Sequence, residues 1–253
     1  MEKVPVFQQE RVDNLHICGL KLIQGENSFR YGVDAVLLSW MAGQKTRKGG
    51  KVADLGTGSG IIPILLAAQY QAMAYGLELV PQMADMAQRS VRLNGLEDRI
   101  RILEGDIKDL PREMEPNTFD VVVSNPPYMS PKEGLKNESL ERAIARHEIH
   151  CNIQDVTAAA KRLLKTKGRF FLVHRPHRMV DVFCAMRNNG LEPKRLILVK
   201  PARGKAANMM LVEGLKEGNP GLIVEEDLYV YGEDGNYSDQ ILEIYQKKKG
   251  ALL

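Results

Sequence analysis

The sequence predicts an α/β fold: a doubly wound, mostly parallel sheet of seven strands with an antiparallel last strand. Three observations predict it. From residue 51 onward, short apolar runs alternate with segments of helical period. A glycine-rich loop, Gly56-Thr57-Gly58-Ser59-Gly60, joins the first of these runs to its helix. The last two runs, 196–200 and 208–214, have no helical stretch between them, so they should pair antiparallel.

Taken in order, residues 15–24 alternate as a strand, with Gly19 as a turn or bulge. Asp34 reads as the N-cap of a helix over 35–42 that stops at Gly43. Residues 51–55 form a strand. The apolar helix 61–69 follows, with Pro63 in its first turn, where the missing N–H costs nothing. Strand 73–79 leads to helix 82–94, which Asn94-Gly95 terminates. Strands are expected at 100–103 and 119–124, a helix at 156–164, a strand at 169–174 and a helix at 176–189. The chain divides into an N-terminal strand-and-helix extension (1–45), a main α/β domain (46–217) and a small C-terminal appendage (218–253). The appendage carries a strand at 228–231, a turn at 234–236 and a short helix from Ser238.

Composition narrows the function classes. The chain has 253 residues, is 44% hydrophobic and carries a net charge of +3, so it can bury a full core and permits a nucleic-acid partner without requiring one. Its three cysteines are far apart and lack metal spacing, which fits a reduced cytoplasmic setting and no metal. The polar N-terminus lacks a signal-type apolar stretch, and no apolar run approaches the ~20 residues of a membrane span. For oligomeric state, a monomer or a weak dimer both remain open.

Two loops carry the chemistry. After strand 119–124 comes Asn125-Pro126-Pro127-Tyr128, at the carboxyl edge where open α/β sheets bind ligands. Two prolines fix φ twice and remove two donors, so the turn is stiff and presents mainly acceptors: backbone carbonyls and the Asn125 amide oxygen. With Tyr128 beside them, they suit a flat substrate bearing an NH2 group. The other loop opens on a carboxylate, Asp54. As a dinucleotide fingerprint it fails at the third glycine position, which is Ile61, and it lacks the Gly-Lys-Ser/Thr ending of a phosphate loop. An acid at its lip repels pyrophosphate and favours an ammonium or sulfonium. Glu78, ending the second strand, is placed for a ribose diol, and Asp106, after the third, for an adenine amino group.

Asp54, Gly56, Gly58, Gly60, Glu78 and Asp106 resemble the cofactor motifs of class I S-adenosylmethionine-dependent methyltransferases. Asn125-Pro126-Pro127-Tyr128 resembles the catalytic motif of the members that methylate adenine N6, cytosine N4 or glutamine N5. Tyr31-Gly32-Val33-Asp34, Ala145-Arg146-His147-Glu148 and Lys200-Pro201-Ala202-Arg203 are similar to segments of the bacterial tRNA(Val) adenine-N6 methyltransferase family. The resemblance implies the Rossmann-like methyltransferase fold, S-adenosyl-L-methionine as cofactor and tRNA as substrate. It implies that Tyr31 and Asp34 line the methionine end of the cofactor site, with Ile107 beside Asp106 also in the cofactor group. Arg146, His147, Lys200 and Arg203 join Tyr128 as substrate-binding residues, although His147 serves equally as a structural histidine. Segment 129–150 reads either as a lid or as a solvated loop. Lys194, Arg195 and Lys205 belong to the same basic cluster as Lys200 and Arg203, while Tyr229, Tyr231 and Tyr237 are expected to pack the tail rather than stack bases. Glutamine-N5 methylation of release factors, guanine-N2 methylation of rRNA and a non-catalytic RNA-binding module remain alternatives. The first of these is disfavoured by the strand-like pattern ahead of the glycine loop, where those enzymes carry a helical domain.

Overall fold

The computed structural model describes residues 4–26, 32–126 and 152–246. Seven strands form the expected sheet: β3 (Lys51–Leu55), β4 (Met73–Glu78), β5 (Ile100–Glu104), β6 (Phe119–Ser124), β7 (Leu164–His174), β8 (Leu191–Lys200) and β9 (Met209–Lys216). Their order is β8-β9-β7-β6-β3-β4-β5. All neighbours are parallel except β9, which runs antiparallel to both β7 and β8. The order reverses between β3 and β6. The carboxyl ends of those two strands therefore open a crevice between the glycine loop and Asn125.

Helices cover both faces. α1 (Val33–Gly43), α2 (Ile61–Tyr70) and α3 (Pro81–Leu93) lie over one core, which includes Leu37, Leu65, Val121, Phe171 and Leu211. α4 (Ile153–Leu163) and α5 (Met179–Asn188) lie over the other, with Ala53, Val122, Phe170 and Val212. Odd and even positions of one strand thus enter different cores, as a sheet buried on both faces requires. A reciprocal capping box starts α4: the Asn152 side chain accepts from the Asp155 N–H at 3.0 Å, and Asp155 accepts from the Asn152 N–H at 3.1 Å.

Several boundaries differ from the sequence expectation. β7 begins at Leu164, which already pairs with Phe119 across a register shift, so the strand starts where the helix ends. β8 begins at Leu191 rather than Leu196 because the sheet absorbs Pro193 in a bulge between Pro193 and Arg195. Residues 176–178 form a single 3-10 turn before α5. Asp34 is not the N-cap of α1: that position is Gly32, and Asp34 lies in the first helical turn.

At the N-terminus, β1 (Glu10–Asn14) and β2 (Lys21–Gly25) form an antiparallel hairpin. The expected turn at Gly19 is there, but it is wider, with His16 and Cys18 also at positive φ, so Leu15 and Ile17 enter the core from the turn rather than from a strand. The hairpin docks on α3. The Ile23 N–H donates to Ser90 Oγ at 2.9 Å, and the Asn94 amide exchanges two hydrogen bonds with the Lys21 backbone, standing in for a strand neighbour. Arg89 is 2% exposed and holds both Glu10 oxygens at 2.6 Å.

The tail extends the sheet. β10 (Ile223–Val224) and β11 (Leu228–Tyr229) pair parallel with the outer side of β8, giving nine strands in all. The buried Glu213 accepts from Arg169 and Arg195, and Arg195 also donates to Glu225, so an ionic chain crosses from the sheet to the tail. A short helix, α6 (Asp239–Ile244), packs Ile241 and Ile244 into the same core as α1. Among the described residues, no helix is long and apolar enough to cross a membrane.

Candidate active site

Asp54 is the next-to-last residue of β3 and is 1% exposed, yet among the described residues neither carboxylate oxygen has a hydrogen-bond partner. Burial pushes its carboxyl up to about 7, Glu78 adds repulsion, and the neighbouring Thr57 hydroxyl opposes the shift. Leaving a buried carboxylate unmatched is costly, and its chemistry asks for a cationic donor. The loop that follows is tied to β4, because the N–H groups of Gly56 and Thr57 both donate to Leu77 C=O at 2.9 Å. Gly56 has φ +78, and a Cβ there would meet nothing within 4 Å, so the backbone turns its bare edge to open space. At Gly60, φ is +87 and a Cβ would stand 3.1 Å from the Ala87 Cβ, so this glycine brings α2 close to α3. The loop and its carboxylate therefore fit a ligand with a positive centre.

Glu78 ends β4 and is 3% exposed. One of its oxygens accepts from the Gly58 N–H at 2.8 Å and the other from the Val80 N–H at 3.0 Å. These bonds fix the carboxylate against the glycine loop at the carboxyl end of β4. Asp106 lies just beyond β5 in a short turn, accepting from the Lys108 N–H at 2.9 Å. Ile107, half-buried beside it, packs against the α4–α5 core. Asp54, Glu78 and Asp106 thus stand at the carboxyl ends of three adjacent parallel strands.

Asn125 and Pro126, both half-buried, follow β6 on the other side of the switch point. Asn125 Nδ2 donates to Asp34 Oδ2 at 3.0 Å. A carboxylate has no proton to give, so this contact fixes which way the amide turns. Its NH2 is used on Asp34, and Oδ1 is the atom left for another donor. Resemblance assigns Asp34 to the cofactor; the geometry adds a contact to Asn125. Asp34→Ala is accordingly expected to lower kcat by about tenfold to a hundredfold, the size of a hydrogen bond to a charged group, beyond any loss of cofactor affinity. Asp34→Glu should recover part of the loss. Isothermal titration with the cofactor product, beside steady-state rates, checks this; a collapse of affinity with kcat intact would contradict it.

Tyr31, Pro127, Tyr128, Arg146 and His147 lie outside the described residues, as does segment 129–150. Lys200 ends β8, and its ammonium meets Asp227 at 2.5 Å; Arg203 lies beyond it with its guanidinium over the Tyr229 ring. Both are on the carboxyl edge, three strands from β6, so about 14 Å separates them from Asn125 across the sheet. Of the basic cluster, Lys194 donates to Asn219 C=O and Arg195 is spent on Glu213 and Glu225, which leaves Arg203 and Lys205 exposed.

Sequence reasoning overlooked three residues. Ser124 Oγ donates to Leu55 C=O at 2.8 Å, locking the end of β6 to the end of β3, and no pattern singles out one buried serine. Gly76 sits beneath the glycine loop, where a Cβ would come within 2.8 Å of Thr57 Oγ1. His174 ends β7 one strand from β6, and burial together with Arg178 lowers its pKa to about 4, so it is neutral at pH 7. Among the described residues, no group of three His, Cys, Asp or Glu side chains is placed to hold a metal.

Comparison with known proteins agrees with this arrangement. The family model of the methyltransferase small domain matches residues 31–188. A tRNA1(Val) (adenine(37)-N6)-methyltransferase of Aeromonas salmonicida is 31% identical over 86% of this chain and 89% of its own length. One from Porphyromonas gingivalis is 32% identical over 74% of each chain. Among solved structures, a predicted O-methyltransferase from Agrobacterium tumefaciens superposes with a TM-score of 0.68 at 21% identity, covering 84% of this chain and 95% of that one. A geranyl diphosphate methyltransferase bound to its substrate and sinefungin gives 0.56 at 16% identity, over 72% and 76%, and so shares the fold. A buried carboxylate at the head of a glycine loop, an acceptor-rich corner across the switch point and a family match over most of the sheet agree: this chain is a methyltransferase of the methyltransferase small domain family.

Proposed function

We propose that the protein transfers a methyl group from S-adenosyl-L-methionine to the exocyclic N6 of an adenine in tRNA. The single observation that carries this reading is the Asn125 amide, turned by Asp34 so that, among the described residues, its oxygen is the acceptor left at the edge of the crevice. The names of the curated relatives supply the substrate class.

The cofactor, when bound, supplies an electrophilic methyl group on a sulfonium centre. Asp54, Gly56, Gly58 and Gly60 would hold its positively charged end, Glu78 its ribose hydroxyls and Asp106 its adenine amino group. The remaining chemistry belongs to this chain's own residues. An exocyclic amine on a purine is a poor nucleophile because its lone pair is delocalised into the ring. Asn125 Oδ1 and the Pro126 carbonyl accept its two protons, which draws the nitrogen toward pyramidal geometry and favours the positive charge that develops on it. Such fixed dipoles stabilise the transition state more than the ground state. Ser124, bonded to Leu55, keeps that corner in register with the glycine loop, and this positioning is the second contribution. The product ammonium is acidic enough to lose its proton to water, so no strong base is required. Tyr128 would stack on the base, which must first leave its own stack.

The experiment is methyl transfer from labelled cofactor onto bulk tRNA, rRNA and release factor, followed by nucleoside analysis. Label in tRNA that digests to N6-methyladenosine supports the reading. Label on glutamine of release factor, or on guanine N2, overturns it.

A further inference from the structure

Beyond the crevice, the end of β8 and the tail enclose a cavity of about 390 Å³ lined by Arg203, Tyr229, Tyr231, Glu233, Asp239 and Gln240, among others. We infer that this cavity is a second nucleobase subsite, taking one unstacked base of the RNA substrate away from the methylated adenine. The inference rests on RNA being the substrate, as proposed above.

Its first support is an unfinished aromatic stack. Tyr231 lies on Tyr237 with ring centroids 5.5 Å apart and planes 5° from parallel, and Tyr237 lies on Tyr245 at 5.9 Å and 20°. Tyr245 lies in the core at 5% exposure, whereas Tyr231 lies at the surface at 44% exposure. Sequence reading expects Tyr229, Tyr231 and Tyr237 to pack the tail. Tyr237 does, but Tyr231 presents a ring to solvent at the open end of the stack, where a planar base would continue it.

The second support is the polar lining. The Arg203 guanidinium sits 5.5 Å from the Tyr229 ring centroid, the side chain is exposed, and among the described residues no ion pair engages it. Lys200, by contrast, is neutralised by Asp227. Gln240 Oε1 accepts from the Tyr229 N–H at 3.1 Å, so its NH2 is the group left to donate. Glu233 brings an acceptor that suits a base N–H, and the negative charge of Glu233 and Asp239 in the lining would repel a phosphate. The lining therefore favours a flat, neutral ring with donors on its edge, its backbone phosphate outside near Arg203.

The third support is placement and stiffness. β8 runs parallel to β6, so the cavity opens at the carboxyl edge that also carries Asn125. β11 lies four strand positions from β6, about 19 Å, a distance an RNA loop can span. Its walls are held by backbone bonds, Tyr231 N–H to Pro201 C=O at 2.8 Å and Val230 N–H to Lys200 C=O at 2.9 Å, and Ser238 Oγ donates to Tyr229 C=O. A preformed wall spares the ordering cost of binding.

The test measures fluorescence anisotropy of a labelled anticodon stem-loop RNA with the full chain, beside thermal melts and tRNA methylation. Tyr231→Ala and Arg203→Ala are each expected to weaken RNA binding about fivefold to a hundredfold, the range of a lost base stack, while Tyr231→Trp retains affinity. Arg203→Ala, an exposed change, should melt with the wild type, so a loss there cannot be ascribed to unfolding. Unchanged affinity in both alanine variants, with only a lower Tm for Tyr231→Ala, would show that the tyrosine merely packs the tail and would sink the subsite. A wild type that fails to methylate tRNA but binds RNA through Tyr231 keeps the subsite and sinks the substrate assignment. A wild type that binds no RNA overturns both.

Discussion

Asn125→Ala is expected to lower kcat by about 10²–10³-fold, the usual cost of removing one preorganised polar group from a site of developing charge, and to leave cofactor affinity close to that of the wild type. The asymmetry follows from the architecture. The glycine loop, Asp54 and Glu78 lie at the ends of β3 and β4, while Asn125 follows β6, so the variant empties one side of the crevice and leaves the other intact. Two further substitutions separate the amide's roles. Asn125→Asp keeps an acceptor but sets a carboxylate against Asp34, so it should be as inactive as alanine by like-charge repulsion. Asn125→Gln keeps the amide but moves it by one methylene, which tests positioning alone. Single-turnover rates at saturating cofactor read the effect; alanine turnover within a few-fold of wild type would remove Asn125 from the reaction.

Asp54→Asn should weaken cofactor binding by about tenfold to a hundredfold, the value of a charge-assisted hydrogen bond. It should also change how the ligand-free protein responds to pH. The Asp54 carboxyl lies at about 7 in the folded chain, raised mainly by burial from an ordinary 3.8. Between those values the folded chain holds a proton that the unfolded chain has released. The stabilising contribution of the protonated acid is therefore complete below about pH 4 and is lost as pH rises through about 7, a change of up to about 4 kcal/mol. Asp54→Asn removes that decline, so the variant should melt above the ligand-free wild type at pH 8 and close to it at pH 4. A cationic ligand reverses the balance by pairing with the ionised acid, so wild-type affinity should rise between pH 6 and 8. Calorimetric melts and titrations at those pH values check both statements; parallel melting profiles for wild type and variant would contradict them.

The sheet was readable because its strands are short β-branched runs such as Val121-Val122-Val123, separated by helices with ordinary stops. Asn125, Asp54 and Glu78 were readable because strand ends in such a sheet all face one edge. What escaped the sequence is what depends on distance along the chain. Asp34 meets Asn125 across 91 residues, and Ser124 meets Leu55 across 69. No local pattern records either contact. A proline inside a strand costs a ladder bond, yet β8 takes in Pro193 at a bulge that no pattern in the sequence announces. The tail reads as an appendage because its strands have two residues each, too short for a period, and the edge of β8 alone gives them partners. The same shortness hid the cavity beside Tyr231, whose walls come from three separate segments.

The most direct measurement is a crystal structure with S-adenosylhomocysteine bound. The geometry predicts the amino end of the ligand against Asp54, its ribose on Glu78, and its sulfur opening toward Asn125 Oδ1 and the Pro126 carbonyl. A ligand seated elsewhere, or one whose sulfur faces away from that corner, would contradict the account.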